Sequence, residues 1–221
     1  MTVKKNIYLY GAGGHSNVIR EILENSGWAI QGVFDDNPVE AKLRGFKVED
    51  GIRVLGAGFP ELDAPINISV GSNLRRAELV ALLRAKYETA VHHTAIISPT
   101  ASVGAGSVVL HGAIIQAGTR IGAHVLVNTA ASIDHDNVIE DYAHVSPHAT
   151  LCGHVHVGAG THIGAGAVVI PCVKIGKWCT IGAGAIVIRD IPDFSTAVGN
   201  PARVIRVGSS PMPTDRDQTG D

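Results

Sequence analysis

The chain has 221 residues, a size that accommodates one large domain or two small ones. Glycine supplies 26 residues and aromatic residues only 5%, which argues against an ordinary globule built around aromatic side chains. The formal net charge of −2 argues against a broad basic surface for nucleic acid or an anionic membrane, and no apolar run approaches the roughly 18 residues of a membrane span.

The three cysteines form no CxxC motif, so we expect reduced thiols rather than a disulfide framework. The first residues lack the apolar stretch of a signal peptide. Both features predict a cytoplasmic protein.

The N-terminal third alternates strand and helix patterns. β-rich apolar runs cover residues 3–10, 29–34 and 66–70, and amphipathic stretches cover 17–25 and 74–87, the second presenting Leu79, Leu82 and Leu83. This alternation predicts a small Rossmann-like βα domain over residues 1–90.

Candidate ligand-binding residues follow each of these strands. Glycines after the first strand let backbone N–H groups reach a phosphate at a helix N-terminus, and an acid after the second strand commonly takes a ribose or base. Ser16 stands where the dinucleotide fingerprint has its third glycine, so a tight turn without a ligand stays open as an alternative. The candidates are Gly11, Gly13, Gly14, His15, Ser16, Asp35, Asp36, Asn37 and Ser72.

The remainder of the chain has a period of six. Every sixth residue from Val91 to Val187 is Val, Ile or Leu, which makes 17 consecutive matches, and the position four residues further on is small. Glycine often follows the aliphatic residue, as in Ile121-Gly122, where we expect a turn that needs an unusual φ. Such a period predicts short parallel strands whose coils stack at about 4.8 Å.

The repeat resembles the hexapeptide-repeat acyltransferases, whose fold is a left-handed parallel β-helix. In that family three hexads make one coil of 18 residues, so the resemblance implies nearly six uninterrupted coils here. We assign residues 91–207 to this β-helix domain. Residues 208–221 lack apolar periodicity, which predicts a disordered tail.

Four motifs narrow the resemblance further, and they are listed here in chain order: Gly11-Ala12-Gly13-Gly14-His15, Phe34-Asp35-Asp36-Asn37, Ser132-Ile133-Asp134-His135-Asp136 and Gly199-Asn200-Pro201-Ala202. With these motifs the chain resembles the sialic-acid O-acetyltransferase-like (NeuD/PglD-type) family, which includes N-acetyltransferases of UDP- and GDP-linked 4-amino sugars of the bacillosamine or perosamine type. The family's His-Cys or His-Glu pair is His135-Asp136 here.

The resemblance implies a specific division of labour. The N-terminal domain would bind a nucleotide-linked amino sugar through the candidates above, and the β-helix would bind acetyl-CoA as co-substrate. It further implies a homotrimer with active sites between subunits, a role in surface glycan synthesis such as lipopolysaccharide O-antigen, and no metal. GDP and UDP are not distinguished, and a 4-amino-4,6-dideoxy sugar is favoured.

The chemistry indicates a histidine as the central group. A sugar amine must lose a proton when it attacks a thioester, and a His near neutral pKa beside a carboxylate is suited to accept it. By resemblance His135 and Asp136 are catalytic, and Gly153, one coil further along, offers its N–H to the thioester oxygen. By resemblance His144, Asn128 and Ala183 also contribute to the oxyanion and acetyl-CoA sites.

Three other interpretations remain open. The protein could be an O-acetyltransferase acting on a sugar hydroxyl, or a non-enzymatic nucleotide-binding scaffold. The ten histidines of the repeat avoid its inward positions, so a γ-carbonic-anhydrase-like zinc site using the His144/His148 and His154/His156 pairs is a further alternative.

Overall fold

The computed structural model describes residues 5–41, 43, 45–56 and 61–211. Its N-terminal part is a four-stranded parallel sheet in the order β3-β2-β1-β4 with helices packed against it. The elements are β1 (Lys5–Tyr10), α1 (Gly14–Asn25), β2 (Trp28–Asp35), a 3-10 turn (Pro38–Glu40), β3 (Val48–Asp50), α2 (Gly51–Gly56), β4 (Ile66–Ile68) and α3 (Asn73–Leu82). The predicted Rossmann-like architecture is confirmed.

Two details of this part differ from the sequence expectation. The short β3 and α2 were not predicted, because three strand residues and six helical residues leave almost no periodic signal. The last helix ends at Leu82 rather than at residue 87, and Leu82 is 59% exposed. The chain turns away because it pairs with the sheet again, through the bridge between Tyr87 and Ile66.

The repeat forms a three-sided column of two-residue parallel strands, β5 to β21, with 18 residues between stacked partners such as Ser132 and Thr150. We call the side on which the N-terminal domain packs the docked face, and we name the other two sides by the character of their outward residues. The docked face is β5 (Ala90–Val91), β8 (Val108–Val109), β11 (Leu126–Val127), β14 (His144–Val145), β17 (His162–Ile163) and β20 (Thr180–Ile181). The apolar face is β6 (Ile96–Ile97), β9 (Ile114–Ile115), β12 (Ser132–Ile133), β15 (Thr150–Leu151), β18 (Val168–Val169) and β21 (Ile186–Val187). The polar face is β7 (Ser102–Val103), β10 (Arg120–Ile121), β13 (Val138–Ile139), β16 (His156–Val157) and β19 (Lys174–Ile175). A hairpin of β22 (Ser195–Val198) and β23 (Arg203–Val207) extends the docked face.

The core of the column confirms both inward positions of the hexad. The aliphatic residue of each strand and the small residue four positions later fill one continuous cluster, as Ile133 and Ala149 do, both fully buried. Only small and aliphatic side chains fit so narrow a cross-section, which explains the scarcity of aromatic residues.

The expectation about the glycines after the aliphatic residues is wrong. Positive φ does recur every six residues, but at a different position, which Asp136 and His154 share with φ near +57° and +58°. Glycines such as Gly158 have ordinary φ and are needed because the next coil passes too close. A Cβ on Gly158 would lie 2.5 Å from the backbone nitrogen of Lys177.

The N-terminal domain covers the docked face. Val108 and Leu126, whose side chains point outward from the column, are buried in one cluster with Ile7 and Ile19. The guanidinium of Arg76, fully buried on α3, crosses the boundary and donates to the carbonyl oxygens of His124 and Tyr142 at 2.8 Å each. Both apolar packing and buried hydrogen bonds therefore hold the two domains together.

Most of the predicted C-terminal tail lies outside the described residues, which end at Pro211. Within them, Gly208 donates its N–H to the carbonyl of Phe194. None of the described helices has the length and apolarity needed to cross a membrane.

Candidate active site

The corner between the apolar and polar faces carries the predicted catalytic pair. His135 follows β12, and its Nδ1 lies 2.8 Å from Oδ2 of Asp136. Both side chains are about half exposed, at 50% and 51%, so a substrate can reach them. The hydrogen bond to Asp136 raises the pKa of His135, and the same bond lowers the pKa of Asp136. A carboxylate accepts the proton of Nδ1–H, and in that tautomer Nε2, on the Gly153 side of the ring, is the acceptor.

Gly153 lies directly beside the His135 ring, one coil further along. A Cβ at residue 153 would be 2.7 Å from both Cε1 and Nε2 of His135. Among the described residues, no acceptor is bonded to the N–H of Gly153. The absence of a side chain thus brings a free backbone donor and the imidazole to the same small space, as an oxyanion site next to a base requires.

A buried amide supports this corner from within. Asn137, fully buried, donates through Nδ2 to the carbonyls of Asp134 at 2.7 Å and Cys152 at 3.0 Å. Its Oδ1 accepts the N–H of Val155 at 3.1 Å. Asn137 therefore ties together the two turns that carry His135 and Gly153. The polar residue at an inward position of the repeat was the available sequence signal for this role.

A second polar cluster lies on the docked face. Asn128 Nδ2 is 3.1 Å from His144 Nε2, and the rings of His144 and His162 stack at 4.8 Å with 6° between their planes. Burial lowers the pKa of His144 to about 3, and its neighbour His162 and the charge of Arg76 act in the same direction. His144 is therefore neutral at physiological pH.

The two clusters are not joined within one chain. The corner of His135 and Gly153 is the edge of the three-sided column opposite the docked face, which carries His144. Ala183 lies at a different corner, between the docked and apolar faces. The residues that were grouped by resemblance thus lie in separate places on the column.

The glycine loop after β1 leads directly into the N-terminus of α1. Gly11 has φ +111°, and a Cβ there would lie 2.8 Å from the carbonyl oxygen of Ser69, so this position requires glycine. Gly13 and Gly14 face open space at the start of α1. His15 Nε2 is buried without a hydrogen-bond partner among the described residues, and burial lowers the pKa of His15.

Several residues predicted to bind the nucleotide make hydrogen bonds within the protein. Ser16 is fully buried and donates to the carbonyl of Ser69, which makes it structural. Asp35 accepts the N–H groups of Ala12 at 2.6 Å and Asn37 at 2.8 Å, so it shapes the glycine loop.

Two more of these candidates have partners on α3 or nearby. Asp36 is paired with Arg75 at 2.7 Å and accepts the hydroxyl of Tyr10 at 2.7 Å. Ser72 caps α3 by accepting the N–H of Arg75. Arg75 was missed in the sequence, because nothing local signals that a helical arginine will meet an acid 39 residues earlier.

Known proteins share both halves of this arrangement. Residues 6–83 match the PglD N-terminal domain family, and residues 154–189 match the bacterial transferase hexapeptide family. The acetyltransferase domain of PglB from Neisseria gonorrhoeae is 33% identical with a TM-score of 0.82, over 91% of this chain and all of that one. The chain belongs to the same acetyltransferase family as this domain. Its β-helix is accordingly of the left-handed type.

Two further relatives carry substrates in their names. A histidine variant of perosamine N-acetyltransferase from Caulobacter crescentus, in complex with CoA and GDP-perosamine, is 32% identical with a TM-score of 0.83, over 91% of this chain and 97% of that one. UDP-N-acetylbacillosamine N-acetyltransferase from Bacillus subtilis is 44% identical over 119 residues. That match takes in 48% of this chain and about half, 51%, of the Bacillus protein.

The zinc alternative finds no support in its own ligand set. Among the described residues, the one group of three potential metal ligands is His135, Asp136 and His154. The His144/His148 and His154/His156 pairs do not come together there.

Proposed function

We propose that this protein transfers the acetyl group of acetyl-CoA to the 4-amino group of a nucleotide-linked dideoxy sugar, in the synthesis of surface glycans. The observation that carries the proposal is the corner at which His135, oriented by Asp136, stands beside the bare backbone of Gly153. The relatives named for bacillosamine and perosamine acetylation support an amine as the acceptor and acetyl-CoA as the donor.

The proposed reaction needs one base and one oxyanion donor. The sugar amine attacks the thioester carbonyl, and its proton passes to Nε2 of His135 while Nδ1–H stays bonded to Asp136. The N–H of Gly153 stabilises the negative charge on the carbonyl oxygen. The C–S bond then breaks, and the CoA thiolate takes the proton from His135, which restores the neutral imidazole.

The nucleotide would bind at the glycine loop. Gly13 and Gly14 offer open backbone at the start of the 12-residue helix α1, where N–H groups and the helix dipole favour a diphosphate. His15 and Asn37 flank this loop. Asp35, which we expected to read a base or ribose, shapes this loop through the N–H of Ala12, whereas Asp36, expected to do the same, is held by Arg75 and Tyr10.

We also propose a homotrimer with each active site shared by two subunits. The separation of the His135 corner from the Asn128 and His144 cluster supports it, because a neighbouring copy could supply the missing half. The uncovered apolar face supports it as well. Its outward side chains include Ile96, which is 63% exposed, and carry no charge.

Mixing two inactive variants tests the shared site. His135→Ala and His144→Ala are each expected to lose most activity, because each damages one half-site. After subunit exchange of an equal mixture, about a quarter of the sites would pair two intact halves, so partial activity should return. No recovery, with exchange verified by mass, would contradict a shared site.

An acceptor panel tests the reaction itself. The wild-type protein is incubated with acetyl-CoA and UDP- or GDP-linked 4-amino-4,6-dideoxy sugars, with sialic acid as the hydroxyl acceptor. We expect a base-stable amide on one of the amino sugars. A base-labile ester would favour the O-acetyltransferase, and no turnover with any acceptor would favour the scaffold. We place the reaction in the cytoplasm, and the unpaired Cys152, Cys172 and Cys179 fit a reducing compartment.

A further inference from the structure

We call the turn that carries His135 and Asp136, together with Gly153, the catalytic corner. This corner carries a third side chain that the proposed reaction does not use. His154 is the residue one coil beyond Asp136, and its Nε2 lies 3.7 Å from Oδ2 of Asp136. The rings of His135 and His154 meet edge to face, 5.2 Å apart. His154 is 59% exposed, so all three side chains are open to solvent.

The three ligand atoms fit one small metal ion. They all lie within 4.8 Å of one another. Zinc binds nitrogen and carboxylate oxygen at about 2.0–2.2 Å, which in a tetrahedral site separates neighbouring ligand atoms by roughly 3.3–3.6 Å. The observed separations of 2.8 Å and 3.7 Å fall on either side of that range. Small side-chain rotations would therefore complete three ligands and leave the fourth position to water.

The backbone presents these groups in a fixed geometry. Asp136 and His154 occupy the same position of successive coils, with φ +57° and +58°. The N–H of His154 donates to the carbonyl of His135 at 3.0 Å, which joins the two turns directly. Since Gly153 has no side chain, it leaves room for the His135 ring, which a Cβ would approach to 2.7 Å.

We propose that His135, Asp136 and His154 form an inhibitory site for a divalent transition-metal ion, with Zn²⁺ as the ion that fits this ligand set best. The inhibition rests on the proposed function. In the active state Nδ1 of His135 carries the proton and Nε2 accepts one from the amine. An ion held by Asp136 coordinates Nδ1 instead, so the single proton of the neutral ring is lost from Nδ1 to water while Nε2 takes up a proton from water. The imidazole then has no lone pair for the amine proton.

Zinc titration of tag-free protein tests the site, with calorimetry for binding and chromatography of the acetylated sugar for activity. We expect one saturable ion per chain in the wild type. His154→Asn should weaken binding by at least about 10- to 100-fold, since loss of even an indirect partner of a metal has that effect. His156→Asn is the matched control, because His156 is paired with Glu140 outside the cluster. It should bind as the wild type does.

Inhibition is scored against each variant's own metal-free rate. It should follow the binding curve, reverse with EDTA and require a higher zinc concentration in His154→Asn. Absence of saturable binding, or equal binding by His154→Asn and the wild type, would overturn the site. Full activity of the zinc-bound wild type would overturn the inhibition. Zinc binding by a protein that never transfers acetyl groups would support the site and refute the proposed function, so the two failures are distinguishable.

Discussion

A single methyl group added at residue 153 should displace His135 and lower kcat while leaving the stability of the protein nearly unchanged. In Gly153→Ala the new Cβ would lie 2.7 Å from Cε1 and Nε2 of His135, where ordinary contact begins at 3.4 Å. The ring must therefore move by about 0.7 Å. A misplacement of about 1 Å at a reacting group can cost 10²-fold in rate, so we expect kcat to fall by roughly 10- to 100-fold.

Stability should change little in the same variant. The atoms that must move belong to a half-exposed side chain, and residue 153 has no positive φ. We expect a loss below about 1 kcal/mol in the free energy of unfolding. Release of CoA at saturating substrates measures kcat, and thermal melting reports stability.

Gly56→Ala serves as the control, since Gly56 ends α2 and a Cβ at that position would meet no atom of another described element within 4 Å. It should keep both kcat and melting temperature. Wild-type kcat in Gly153→Ala would refute the close pairing of this backbone with His135. A large drop in melting temperature would instead show that the two coils, and not only the ring, had to separate.

Three further changes probe other parts of the structure. Arg76→Met should lower the free energy of unfolding in urea by roughly 3–5 kcal/mol, because several buried carbonyls lose a charged donor; stability within 1 kcal/mol of wild type would contradict the locked boundary. Asn137→Ala should lower the free energy of unfolding by roughly 2–3 kcal/mol, because buried carbonyls lose their donor. It should also lower kcat, measured at saturating substrates, because the turn that carries His135 is no longer held in place. An unchanged kcat would contradict a positioning role for Asn137. Burial lowers the pKa of His124 to about 4 in the folded state against 6.5 unfolded. Its contribution to stability is therefore present above pH 6.5 and lost as the pH falls from 6.5 to 4, so melting temperatures of His124→Asn should fall less than those of the wild type across that window.

The repeat was predictable because its physics is local. One aliphatic and one small residue per hexad must point inward in every coil, and the pattern from Val91 to Val187 encodes this directly. The misassigned glycines show where local sequence patterns stop being informative. Whether Gly158 needs an unusual φ or only space depends on Lys177 in the next coil, 19 residues away.

The catalytic corner was predictable only in part. The 18-residue coil places residue 153 beside residue 135, and the structure has this contact. His144 and His135 lie on different sides of the column because successive strands belong to three different sheets in turn. A comparison of single motifs does not take this order of the strands into account. The pairing of Asp36 with Arg75 depends on how α3 packs, and that is decided by tertiary structure.

In the proposed reaction, His135 accepts the amine proton during acetyl transfer. The most direct measurement is the single-turnover rate of His135→Asn with acetyl-CoA and the preferred nucleotide-linked amino sugar, alongside calorimetric affinities for both ligands. We predict a rate at least about 100-fold below wild type with both affinities retained, as loss of a general base implies. A rate within threefold of wild type would contradict this assignment.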